Sequence, residues 1–175
     1  MLKERFITKT WKGKFIITPE TLMNYEQWVN FEKELDPDGR SESTTVNGWQ
    51  YSFLGKESPP DWLQDLLPEI SKIKDEIGFS AIKSSWAIEY GVGGYQDPHV
   101  HQPHSNLVTI ILNLKGVGEL LLFDPRPGAV GQGFPILETE ILHPGEWFAM
   151  PGWVAHGTRP CKNLRSILVI DGYSQ

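Results

Sequence analysis

The sequence predicts an α+β chain, mainly β: a jelly roll with N-terminal helices packed on one outer face. Two observations predict it. Apolar residues recur at helical spacing within the first 78 residues. From about Phe79 onward the chain breaks into short strand-like runs separated by Gly, Pro or Asn, the pattern of a sandwich or barrel. The 175 residues suffice for one such unit with a substantial core, and no linker, repeat or low-complexity tract divides them. The expectation is a single domain over 1–175, with a helical part over about 1–78 and a β core over about 79–175.

The first helix is read from "TPETLMNYEQWVNFEKEL". Thr18 is placed to cap it and Pro19 fits the first helical position. Leu22, Tyr25, Val29 and Phe31 recur at roughly helical spacing, and the turn-like "DPDG" at 36–39 closes the segment. The second helix is "PDWLQDLLPEISKIKDEIG". Trp62, Leu63, Leu66, Leu67, Ile70, Ile73 and Ile77 make one apolar stripe, Gly78 is a stop signal, and Pro68 is a place for a bend. The strands expected afterwards are "SAIKSSWAIEY", "NLVTIILNL", "GELLLF", "ILETEILH", "EWFAM" and "RSILVIDGY".

Composition narrows the function classes. Hydrophobic residues at 39% and charged residues at 22% are ordinary for a soluble globular protein. Seven tryptophans and eight phenylalanines argue against disorder. The formal charge of −6, with Lys and Arg nowhere concentrated, argues against a nucleic-acid partner. The single cysteine, Cys161, excludes an internal disulfide and suits a reducing compartment. "MLKERFITKTWKGK" has no apolar core of signal-peptide length and no segment matches a bilayer span, so a cytoplasmic protein without a membrane partner is expected.

The stretch "GGYQDPHVHQPHSN" at 93–106 holds three of the five histidines. In an extended strand His99 and His101 point the same way, close enough to share a metal at bonds of about 2 Å. Asp97 has the same parity and offers a carboxylate, as a ligand or as a hydrogen-bond partner of a ligand histidine. A His-x-His pair is equally at home in a polar loop, so a third ligand must come from elsewhere. Of the remaining histidines, His143 sits before a Pro-Gly turn, and His156 in "MPGWVAHGTRP" has the better context. His104, beyond Pro103, reads as a loop residue at a pocket mouth, with substrate contact or metal ligation as the alternatives.

These residues resemble a known pattern. In "EYGVGGYQDPHVH", Tyr90, Gly93, Gly94, His99 and His101 fall on the offsets of the Tyr, Gly-Gly and His-x-Asp of 2-oxoglutarate- and Fe(II)-dependent oxygenases. "HPGEWFAMPGWVAHGTRP" is similar to the segment that carries their distal histidine. With "NGWQYSF", "SSWAIEY", "GELLLFDPR" and "RSILVI", the chain resembles a 2OG-Fe(II) oxygenase family of marine bacteria and phages over roughly residues 45–172. The resemblance implies a double-stranded β-helix, cupin-like core. It also implies hydroxylation of a small-molecule or peptide substrate by O2, with release of succinate and CO2. Its cofactors would be Fe(II), held by His99, His101 and His156, and 2-oxoglutarate, whose far carboxylate would meet Arg165.

Two departures matter. His101 stands where the usual pattern has Asp, which leaves the metal more positive by about one charge and weakens the preference for iron over zinc or nickel. Ile167 stands where a Ser often follows the arginine, and Ser166, one residue early, is turned to the other face. Tyr95, Thr109 and Asn113 are further candidates for co-substrate contact, although for Thr109 and Asn113 ordinary polar alternation on a half-buried strand explains the sequence nearly as well. Arg165 has a plain reading too, as a barrel-end arginine paired with an acid. Trp147 and Trp153 read as pocket lining or packing, and Cys161 as a bystander. Two other classes stay open: a three-histidine cupin-type dioxygenase or isomerase that does not use 2-oxoglutarate, and a non-catalytic jelly-roll binding module. Exposed strand edges would also allow a homodimer.

Overall fold

A computed structural model of the chain describes residues 8–39, 44–53, 58–101, 106–124 and 137–174. Among the described residues, two helices and nine strands form in the order β1 (Trp11–Lys14), α1 (Pro19–Leu35), β2 (Thr45–Ser52), α2 (Asp61–Ile77), β3 (Phe79–His99), β4 (Leu107–Lys115), β5 (Gly118–Phe123), β6 (Leu137–Leu142), β7 (Glu146–Pro151), β8 (His156–Thr158) and β9 (Arg165–Ser174). All the pairings are antiparallel, in the order β1-β7-β4-β9-β3-β8-β5-β6, with β2 added on β3.

The long β3 makes the sheet a roll. Its first part, Phe79 to Tyr90, pairs with β9, whereas Gln96 and His99 pair with Thr158 and His156 of β8. One strand thus belongs to both halves of a curled sheet, as a jelly roll requires. The bend between these parts is crossed by β2, whose register slips between Val46 and Gly48. Asn47 bulges there with φ 48°, and its Nδ2 donates to the Val92 carbonyl at 2.9 Å. The close approach needs a glycine opposite, because a Cβ on Gly94 would lie 2.4 Å from the Asn47 carbonyl oxygen.

The period-two strands have two buried faces. From β4 and β9, Val108, Ile110, Leu112, Leu168 and Ile170 pack under the helices. Ile111, Ile167 and Val169 of the same strands face the interior of the roll, with Phe148, Met150, Leu120 and Leu122. The sequence read these strands as half-buried. In fact β4 is buried at every position from Leu107 to Leu114, one face by helices and the other by the opposite wall.

Both helices lie on the outer face. Thr18 caps α1 by accepting from the Thr21 N–H at 3.0 Å, with Pro19 in the first turn. Gly78 ends α2 in the left-handed conformation, and the helix runs through Pro68. Tyr25 meets Trp62 edge-on at 4.9 Å, and Trp28 meets Tyr51 of β2 in the same way at 4.9 Å. The aromatic residues thus lock α1, α2 and β2 together.

Four details differ from the sequence reading. Strands β1 and β2 lie in the stretch read as helical, because each gains its partner, β7 or β3, only in three dimensions. β8 has three residues, too few for a periodic signal. Phe31 is 57% exposed, leaving Tyr25 and Val29 as the buried apolar face of α1. In the stripe of α2, Leu67 is 45% exposed while its neighbour Leu66 is buried.

That contrast gives a direct check on how α2 docks. Leu66→Ala should lower stability by about 2–5 kcal/mol, through lost burial and the cavity left behind. Leu67→Ala should change it by about 0.5 kcal/mol or less. Urea denaturation of the two variants measures both.

Candidate active site

The interior of the roll is apolar in the middle and polar at two places. On β9 the inward positions run Arg165, Ile167, Val169, Asp171, and on the paired β4 they run Asn113, Ile111, Thr109. One polar group therefore forms around Asp171 and Thr109 and another around Arg165 and Asn113, separated by six residues of β9, about 20 Å of strand.

At the first, three histidines converge. His99 and His156 are register partners across β3 and β8, with ring centroids 4.4 Å apart. His99 faces inward although it is odd-numbered and the earlier inward residues of β3, Ile88 and Tyr90, are even-numbered. The pairing shift between Gln96 and His99 accounts for the change of face. His101 lies just past the strand end, tied down by its N–H donating to the Gly152 carbonyl at 3.0 Å. Its ring is 5.2 Å from that of His99 and 4.9 Å from that of His156. One ligand atom from each of the three lies within 4.8 Å of the others.

The hydrogen bonds fix which nitrogens are free. Nδ1 of His99 lies 2.8 Å from the Asp97 carbonyl oxygen, and Nδ1 of His156 lies 2.9 Å from the Val154 carbonyl oxygen. A carbonyl only accepts, so each Nδ1 carries the proton and donates it. Nδ1 of His101 lies 2.7 and 2.9 Å from the two oxygens of Asp171. An ionised carboxylate likewise only accepts, so this ring takes the same tautomer. All three Nε2 lone pairs are then free, and those of His99 and His101 face each other at 3.2 Å. Two lone pairs at hydrogen-bond distance with no proton between them repel, and a cation among them reverses that sign.

Burial opposes protonation of His156 and His99. It drives the His156 pKa down to about 3, helped by His99 and His101, while the Val154 carbonyl works in the opposite direction. Burial likewise lowers His99, against its bond to Asp97 and with a contribution from His101.

At the second place, Arg165 is fully buried. Its Nε donates to Asn113 Oδ1 at 2.8 Å, and Asn113 Nδ2 donates to the Gly116 carbonyl at 2.6 Å. The guanidinium lies near the Tyr90 ring, its Cζ 6.0 Å from the centroid. Nη1 and Nη2 are buried and have no hydrogen-bond partner among the described residues. Burial pulls the Arg165 pKa down, opposed by Tyr90 and by the Cys161 thiol beside it. Gly118 makes the room, since a Cβ there would lie 2.1 Å from Arg165 Nε. A buried guanidinium with two unpartnered ends is costly, because an unpaired buried charge is among the costliest groups a fold can carry.

The remaining sequence expectations fall as follows. Thr109 is fully buried and its hydroxyl donates to Asp171 Oδ1 at 2.7 Å, so it holds a carboxylate of the protein. Asn113 is likewise engaged with Arg165. Tyr95 is half-buried opposite Val46 on β2, and Tyr90 is the tyrosine at the guanidinium. Asp97 is exposed and gives His99 its backbone carbonyl. The carboxylate expected from Asp97 comes from Asp171 instead, which is 5% exposed. Ser166 faces the helices beside Glu89. Trp147 is core under the helices, and Trp153 packs against the interior cluster. Cys161, read as a bystander, lies beside Arg165, and its thiol pKa is raised by burial. His104 lies outside the described residues. Sequence reasoning missed Asp171, whose signal was its parity with Arg165 at the end of the apolar run Ile167–Ile170.

A folded-state pKa below the unfolded one makes His156 a liability in acid. The unfolded chain takes up a proton below about pH 6.5 while the fold refuses it down to about 3, so stability falls as pH falls through that window. Between pH 7 and pH 5 this one residue should cost the metal-free protein about 2 kcal/mol. Urea denaturation at both pH values measures the loss, and His156→Asn should remove most of it.

No protein-family model matches the sequence, and no curated protein sequence does either. Solved structures do match the fold. A prolyl-4-hydroxylase from Pseudomonas putida superposes with a TM-score of 0.61 at 13% identity, covering 96% of this chain and 94% of that one. A Trichoplax adhaerens prolyl hydroxylase, in complex with a hypoxia inducible factor oxygen degradation domain peptide fragment, gives 0.67 at 11% identity, covering 94% and 83%. HygX from Streptomyces hygroscopicus, with nickel and 2-oxoglutarate bound, gives 0.64 at 12% identity, covering 96% and 83%. The chain has the jelly-roll, double-stranded β-helix fold of these proteins.

Proposed function

We propose that this chain is a 2-oxoglutarate- and Fe(II)-dependent oxygenase that hydroxylates a small-molecule or peptide substrate. The observation that carries the reading is the pairing, inside one roll, of three converging Nε2 lone pairs with a buried guanidinium whose Nη1 and Nη2 are unpartnered. His99, His101 and His156 would hold the metal, as imidazoles suit iron, nickel and zinc alike. Arg165 would take the far carboxylate of 2-oxoglutarate through paired, charge-assisted hydrogen bonds. Bound Fe(II) with 2-oxoglutarate and O2 supplies the oxidising chemistry, with succinate and CO2 as the co-products.

The chain's own residues do the rest. Asn113 and Gly118 aim the guanidinium. Ile111, Ile167 and Val169 keep the interior between guanidinium and histidines apolar, which strengthens charged contacts made there. The fold relatives, two prolyl hydroxylases and a protein with nickel and 2-oxoglutarate bound, support the same reading. The single buried cysteine, Cys161, fits a cytoplasmic setting. No helix among the described residues is long and apolar enough to cross a membrane.

Anaerobic titration of metal-free protein with Fe(II) and then 2-oxoglutarate tests the proposal through the visible charge-transfer band of the chelate. Wild type should develop the band. His156→Ala should abolish it, and Arg165→Ala should raise the 2-oxoglutarate concentration needed by about 100-fold, as expected for losing a charged, bidentate contact. Metal binding with no response to 2-oxoglutarate would indicate a three-histidine cupin-type enzyme, and no metal binding would indicate a binding module.

A further inference from the structure

We propose that Asp171 is a positioning residue that brings to the metal, through His101, the negative charge that three neutral imidazoles lack. The proposal rests on the metal reading above. Three histidine ligands leave the full charge of a divalent cation unbalanced by the residues that touch it. The carboxylate of Asp171 lies against the site, with both oxygens on His101 Nδ1, at 2.7 and 2.9 Å.

Three features show that this carboxylate is committed to His101. It is buried, and both its oxygens lie against His101 Nδ1, with the side chains of both residues only 7% exposed. Its second contact, the Thr109 hydroxyl, donates to Oδ1 at 2.7 Å and is neutral, so it orients the carboxylate without cancelling its charge. Finally, the backbone sets the geometry, because Thr109 and Asp171 are register partners on β4 and β9. The other two rings rest on backbone carbonyls, so His101 alone is backed by a full charge. A carboxylate on the far nitrogen raises the basicity of the ligating one and fixes the ring, and losing such a partner typically costs 10–100-fold in metal affinity.

Asp171→Asn separates charge from shape, because the amide oxygen still accepts from His101 Nδ1. Affinities for Fe(II) and Ni(II), measured anaerobically, should fall by about 10–100-fold. The charge-transfer band of the Fe(II)–2-oxoglutarate complex should move to shorter wavelength, since an iron with less negative charge nearby is harder to oxidise. The thermal midpoint of the metal-free protein serves as the control for folding. A second variant, His101→Asp with Asp171→Asn, moves the same charge onto the metal itself and should bind Fe(II) more tightly than Asp171→Asn alone. Affinity and band unchanged in folded Asp171→Asn, or a folded double variant no better than the single one, would overturn the role of Asp171. Wild type that binds neither metal would overturn the metal reading itself.

Discussion

The structure turns on three imidazole lone pairs that the fold forces to face one another. Each Nδ1 is committed to an acceptor, the Asp97 carbonyl, the Val154 carbonyl or the Asp171 carboxylate, and so each Nε2 is left bare. Without a cation this arrangement is repulsive, and burial makes the remedy of protonation costly, as the depressed His156 pKa of about 3 indicates. The fold bears the cost because the rings hang on separate elements: the end of β3, the segment just past it, and β8. The sheet brings them together only by curling, and it curls because β3 pairs with β9 along its first part and β8 along its last.

The same logic governs the other end of the roll. Arg165 is buried without a carboxylate partner among the described residues, and its Nη1 and Nη2 are left without a hydrogen-bond partner there. Gly118 keeps the space open and Asn113 sets the angle. The helices take no direct part in either polar group. Their contribution is to cover the outer faces of β4 and β9, so that alternate residues of those strands can be polar inside a dry wall. The core thus supplies the rigidity on which two unsatisfied groups depend.

Much of this was legible in the sequence. The helix caps at Thr18 and Gly78, the stripe of α2 and the change of period near Phe79 depend on local chemistry, which a sequence displays directly. The gathering of His99, His101 and His156 followed from a spacing of two and a resemblance. What stayed hidden depends on register. Parity with Arg165 puts Asp171 on the inner face of its strand, but only the pairing of Thr109 with Asp171 brings that carboxylate to His101. Thr109 and Asn113 were placed on the right face but serve Asp171 and Arg165, because polar groups inside a protein first satisfy each other. β1, β2 and β8 gain their meaning from partners far along the chain.

A crystal structure of the protein grown anaerobically with Fe(II) and 2-oxoglutarate tests the central claim most directly. The account predicts one metal bound to Nε2 of His99, His101 and His156 at about 2.0–2.1 Å, a nitrogen–metal distance typical of imidazole ligation. It also predicts the far carboxylate of 2-oxoglutarate on Nη1 and Nη2 of Arg165. A metal held by other residues, or a co-substrate that leaves those two nitrogens unpartnered, would contradict it.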